Sequence, residues 1–127
     1  MNRMAGSFIK AAVIYGVVAL ALGVYMGAAH ELSLLTVHSH LGLLGWVTLA
    51  VCAMYYQLVP GAAERALAKV HFWTANAGLI VLSASLVLKS QGVSAAEAGA
   101  GIGSVMSLIA LAMFLYVVFR TSGAKAA

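Results

Sequence analysis

The sequence predicts an all-α integral membrane protein with four transmembrane helices, and three observations predict it. Hydrophobic residues make up 64% of the 127 residues and charged residues only 8%, a balance that a soluble domain of this size does not carry. Residues 11–29, 32–63, 70–88 and 98–119 contain no Lys, Arg, Asp or Glu, and each run is close to or above the roughly 20 residues that cross a hydrocarbon core of about 30 Å. In lipid every backbone N–H and C=O needs an internal partner, which long runs rich in Ala, Leu, Val and Met provide as helices.

The expected helices cover about residues 8–29, 33–59, 67–89 and 98–120 within a single domain, 1–127. The first follows Arg3 and Lys10 and ends at Gly27-Ala28-Ala29, small residues that also suit the cleavage site of a signal peptide. Its apolar stretch is longer than a usual signal core, so it is expected to stay as a span. Gly23 with Gly27, and Gly99 with Gly103 in the last helix, stand at the spacing that lets membrane helices approach closely. The second helix holds the lone Cys52, which has no disulfide partner in the chain and reads as packing. It is expected to close at Pro60, the single proline, whose ring and missing N–H suit a helix end.

The charges report orientation. Arg3 and Lys10, Arg65 and Lys69, and Arg120 and Lys125 mark one side of the membrane, while His30, Glu31, Lys89 and Glu97 mark the other. By the positive-inside rule the basic side is cytoplasmic, so both termini are expected there, with the chain multi-pass in the inner (cytoplasmic) membrane. The net charge of +4 is accounted for by this asymmetry and calls for no nucleic-acid partner. Membrane lipid is the expected surrounding.

Ionisable groups inside a membrane are costly, which makes the histidines functional candidates. His38 and His40 fall a turn or two into the second helix from its outer end. Two residues apart at 3.6 per turn, their side chains leave the helix about 200° apart. They therefore face separate partners and do not close on one metal. The His38 face is expected to continue through Gly42 and Gly45 as an open strip that a flat ligand could occupy, and neutral imidazole is an axial ligand of heme iron. The His40 face offers Leu43, Leu44 and Val47 as an aliphatic wall. The alternative is that both histidines are hydrogen-bonded polar residues in a helix bundle. His71 lies at the opposite end in depth, where hydrogen bonding or an interfacial anchor beside Trp73 is expected, and His30 reads as an exposed loop residue.

The segment His38-Ser-His-Leu-Gly-Leu-Leu-Gly-Trp46, followed by Met54-Tyr-Tyr-Gln-Leu-Val-Pro60 and Ala68-Lys-Val-His-Phe-Trp73, resembles helices ten and eleven of the heme-copper oxidase catalytic subunit. The likeness is nearest to the C-type oxidases and nitric oxide reductases. In that family the His-x-His pair ligates two hemes from one helix, so the resemblance implies His38 and His40 as heme ligands. The family subunit has three quasi-equivalent groups of four helices, and this chain resembles one group. It lacks a separate set of copper-ligating histidines, its Tyr55 and Tyr56 lie far from the His pair, and no Asp or Glu falls within a span. An oxidase acting alone is therefore not expected.

These features together predict a protein that binds heme b, without covalent attachment because Cys-x-x-Cys-His is absent. The resemblance implies a homo-oligomer, with a trimer favoured, in which His40 of one copy and His38 of the next ligate one iron. Bis-histidine iron suits electron transfer with a quinone or cytochrome partner. Two alternatives stand beside it: a gas-binding heme sensor or reductase-like protein, and a cofactor-free assembly subunit of a respiratory complex.

Overall fold

A computed structural model describes residues 1–123, and Lys125 of the basic side lies outside the described residues. The chain is all-α, with four helices long and apolar enough to cross a membrane: α1 (Arg3–Ala29), α2 (Leu35–Leu58), α3 (Ala66–Ser90) and α4 (Ala96–Thr121). α1, α3 and α4 start one to five residues before the expected positions and α2 two residues after its own, because the charge-free runs and not the helix caps set the expectation. The clearest case is α1, where the Asn2 side chain accepts from Ala5 N–H at 2.8 Å and caps the first turn, a role suited to its short side-chain acceptor. Asn2 also donates to the Tyr56 carbonyl at 2.6 Å, tying the start of α1 to the end of α2.

The middle of α2 is not regular. Leu41–Thr48 winds as a π-helix between α-helical ends, and Thr48 Oγ1 donates to the Leu43 carbonyl five residues back at 2.8 Å. Such wide turns are rare, and they occur frequently at functional sites. The helix stops at Val59 (φ −123°, ψ 76°), a non-helical conformation in keeping with the bar that a following proline sets against the α region. Pro60 does not continue α2: it opens the short turn Pro60–Ala63 at the first helical position, where no N–H is needed.

Consecutive helices are neighbours, and the packing is most extensive between α1 and α2 and, to the same degree, between α3 and α4. Glycines decide how close the α3 and α4 pair comes. A methyl group on Gly103 would collide with the Leu82 backbone, and one on Gly78 would lie 2.9 Å from Met106 Cβ. Gly99 meets the Ser85 side chain, so Gly99 and Gly103 serve helix contact. The Gly23 and Gly27 pair differs: Gly23 receives the His38 ring, whereas nothing lies within 4 Å of a methyl on Gly27.

Two apolar clusters hold the bundle. One, at the basic end, gathers Phe8, Leu49, Cys52, Tyr56 and Val117, and Cys52 is fully buried there as expected of a packing residue. The other joins Ala19, Val37, Leu41 and Leu79 nearer the His pair. Outward positions are also apolar, among them Leu20, Val24 and Phe119, exposed by 70%, 72% and 77%. In water such a surface would associate or aggregate, whereas in lipid it is solvated.

Candidate functional site

His38 and His40 stand at the α-helical start of α2, before the π-helical turn, so the divergence of about 200° expected from helix geometry applies to them. Each ring is fixed through the same atom. His38 Nδ1 donates to the Ala19 carbonyl of α1 at 2.8 Å, and His40 Nδ1 donates to the Thr36 carbonyl of its own helix at 2.8 Å. A carbonyl can only accept, so in a neutral ring the proton resides on Nδ1 and the lone pair on Nε2. This is the arrangement by which second-shell carbonyls orient histidine ligands and raise their basicity.

The surroundings of the two rings differ. His38 borders an open groove of about 450 Å³ between α1 and α2, whose floor includes Val13, Gly16 and Val17 and whose wall includes Gly42 and Trp46. A methyl on Gly42 would meet nothing within 4 Å, and one on Gly16 would lie 3.0 Å from the Trp46 ring. His40 borders a separate, smaller depression of about 200 Å³ with Ser39, Leu43 and Leu44. Val47, expected on that wall, is not part of it.

Gly45 is a correction to the expected strip. It is buried, and a methyl there would lie 2.6 Å from Tyr15 Cβ and 3.0 Å from Leu79 Cδ2. In a regular α-helix Gly45 would project about 20° from His38 and Trp46 about 80°. The wider turn takes about one more residue, which brings Trp46 over the His38 face and swings Gly45 into the core. Gly42 remains on the groove and Gly45 is a packing residue.

The other histidines separate from this site. His71 is 2% exposed and hydrogen-bonds Tyr56 Oη through Nδ1 at 3.0 Å, either group able to donate. Phe114 stacks on it at 5.6 Å and 19°, and Phe8 lies 5.0 Å away. Of the two expected roles, the geometry is that of hydrogen bonding and not of an interfacial anchor. His30 ends α1 in a left-handed conformation (φ 52°), is exposed, and does not border the His38 groove. Beside it, the Ser33 side chain and backbone N–H hold the Glu31 carboxylate below its usual pKa.

Sequence reasoning did not anticipate the second polar bridge of the bundle, in which Tyr15 Oη donates to Asn76 Oδ1 at 3.0 Å while Asn76 Nδ2 donates to the Phe72 carbonyl at 2.7 Å. Nor did it foresee Trp46 as a groove wall. Among the described residues no three His, Cys, Asp or Glu converge, which leaves His38 and His40 as single donors on separate faces.

Fold and site thus define an all-α, multi-pass membrane protein with two oriented imidazoles on one helix. No protein-family model, curated protein or solved structure matches the chain.

Proposed function

We propose that the protein binds heme b through His38 and His40 and carries electrons within the membrane. The observation that supports this reading best is the pair of Nδ1–carbonyl hydrogen bonds at 2.8 Å, which leave Nε2 of each ring for a ligand, on opposite sides of one helix. The donor chemistry fits an axial heme ligand, and the apolar groove beside His38 is within the 300–1,000 Å³ range of pockets that accept organic ligands. Bound there, heme would supply reversible one-electron chemistry. The chain's own part is to orient His38 through Ala19, to orient His40 through Thr36, and to exclude water with Val13, Val17 and Trp46.

Because the two imidazoles diverge, each iron takes one from each of two copies. A closed ring lets every copy give His40 and receive with His38, and three copies restore the twelve helices of the heme-copper oxidase subunit that the sequence resembles. Bis-histidine iron has no open position and favours electron transfer, with a quinone or a cytochrome as partner. The orientation read from the charges puts both termini on the cytoplasmic side of the inner membrane. A gas-binding reading is favoured by the separation of the two histidine depressions, since a single copy offers an iron only one histidine at each.

The absorption spectrum of the purified protein tests this function. The expected result is a Soret band, a pyridine hemochrome of heme b, and a reduced spectrum unchanged by carbon monoxide. A carbon monoxide shift would replace electron transfer with gas binding, and no Soret band after growth with heme supply would remove both.

A further inference from the structure

At the end of the bundle opposite the His pair, the turn after α2 and the end of α4 enclose a second groove, of about 400 Å³, bordered by Arg65 and Arg120. The two histidines are twenty and eighteen residues from Leu58 along α2, so the grooves stand roughly 30 Å apart at 1.5 Å per residue. Both arginine side chains are exposed. Among the described residues neither has a carboxylate partner, the one ion pair being Lys89 with Glu97 at 2.6 Å. Arg65 uses only Nε, donating to the Gly61 carbonyl at 3.4 Å, which leaves its terminal nitrogens free. Glu64, next in sequence, borders a different depression with Arg3. Thr121 Oγ1 is already bonded to the Val117 carbonyl and to Tyr55 Oη, each at 2.7 Å, and Ser122 also borders the groove.

The flank below the arginines is apolar, with Leu58 in the groove lining and Phe119 beside it, outside the lining. Leu58 and Phe119 are 80% and 77% exposed, and they lie on the membrane side of Arg65 and Arg120 in sequence. A ligand that satisfies both parts is anionic at one end and aliphatic at the other. Guanidinium forks match a phosphodiester bidentately, and basic pockets between transmembrane helices are sites for phospholipid headgroups.

We infer that Arg65 and Arg120 bind the phosphate of an anionic phospholipid, with its acyl chains against Leu58 and Phe119. The shared chemistry is a phosphate anion, and the exposed apolar flank assigns it to a lipid and not to a free ion. The inference is independent of the heme reading, because neither arginine touches the histidine helix start.

Native mass spectrometry of the full chain in detergent tests it, with phosphatidylglycerol and phosphatidylcholine as probes. The expected result is retention of phosphatidylglycerol over phosphatidylcholine, falling roughly tenfold or more in Arg65→Gln/Arg120→Gln, in line with about 1 kcal/mol per basic residue near an anionic surface. Lys10→Gln/Lys69→Gln removes the same charge from the same end outside the groove and is expected to retain the lipid. An equal loss in that control would overturn the site in favour of diffuse attraction, and equal retention of both lipids would overturn it outright. Displacement by millimolar inorganic phosphate would overturn the lipid assignment in favour of a free anion. Arg65→Lys/Arg120→Lys keeps the charge but loses the fork, so it reports on the site even if the glutamine pair fails to fold, and full retention there would overturn the bidentate geometry.

Discussion

His38 and Ala19 are joined across α1 and α2 by a 2.8 Å hydrogen bond from the imidazole Nδ1 to the backbone carbonyl. Helix geometry assigns that carbonyl to the N–H of the residue four further on, which is Gly23. The absent side chain at Gly23 is what admits the ring, since a methyl there would lie 3.0 Å from His38 Cε1. Gly23→Leu is therefore expected to evict the imidazole, losing a hydrogen bond that contributes about 1 kcal/mol and lowering heme content. Gly27→Ala, with open space around it, is expected to be neutral or to gain up to about 1 kcal/mol from helix propensity. Thermal unfolding in detergent, read beside the Soret absorbance, distinguishes the two; equal behaviour would contradict the seat described for His38.

Gly42 and Gly45 separate in the same way. Gly42→Leu projects into the open groove, so the protein is expected to fold normally and to lose heme. Gly45→Ala meets Tyr15 Cβ at 2.6 Å and is expected to destabilise the bundle by about 1–3 kcal/mol, the usual cost of overpacking. Denaturation midpoints and pigment per chain are the paired measurements. Reversed outcomes would restore the regular-helix register.

The histidine series gives a third expectation. His38→Ala and His40→Ala should each abolish bis-histidine ligation, while His71→Ala should leave the heme spectrum nearly unchanged and instead lower stability. The buried His71 ring is held by Tyr56 and Phe114, and removing it leaves both a cavity and an unpartnered phenol, together about 2–5 kcal/mol. A folded His71→Ala protein that had lost its heme to the same degree as the others would overturn the assignment.

The four spans were legible because hydrocarbon thickness sets a length and the charges mark its ends; the divergence of His38 and His40 followed from helix period alone. The register beyond Leu41 was not legible. Nothing in Leu-Gly-Leu-Leu-Gly-Trp encodes a π-turn in advance, because the turn depends on how closely Tyr15 and Leu79 approach Gly45 from other helices. The cap at Asn2 was not legible for a simpler reason: Arg3 and Lys10 mark where the apolar run begins, whereas the helix begins before it. Gly23 and Gly27 share one motif in sequence but only one of them meets another side chain, a difference that depends on which face of α1 receives α2.

Close approach of α3 and α4 gives a prediction independent of any cofactor. Gly103→Ala places a methyl against the Leu82 backbone, which has no flexible end to yield, so a loss of about 1–3 kcal/mol is expected. Gly101→Ala, two residues away with nothing within 4 Å, is expected to be neutral or slightly stabilising. Equal melting points for the two variants would place the helix crossing elsewhere.

The last prediction concerns assembly. Side chains about 200° apart on one helix cannot both reach a single iron in one copy, and the His38 and His40 depressions are bordered by different residues, Gly42 and Trp46 against Leu43 and Leu44. His71, sealed in its aromatic cage, and His30, exposed at the end of α1, border neither. The second axial ligand proposed for each heme must then come from another copy, and only a closed ring satisfies every His38 and every His40 at once. Native mass spectrometry is expected to find a trimer with equal numbers of chains and hemes, and mixing His38→Ala with His40→Ala chains is expected to recover a fraction of six-coordinate heme that neither variant holds alone. A monomer retaining six-coordinate heme would sink the ring, because one chain would then be supplying both ligands.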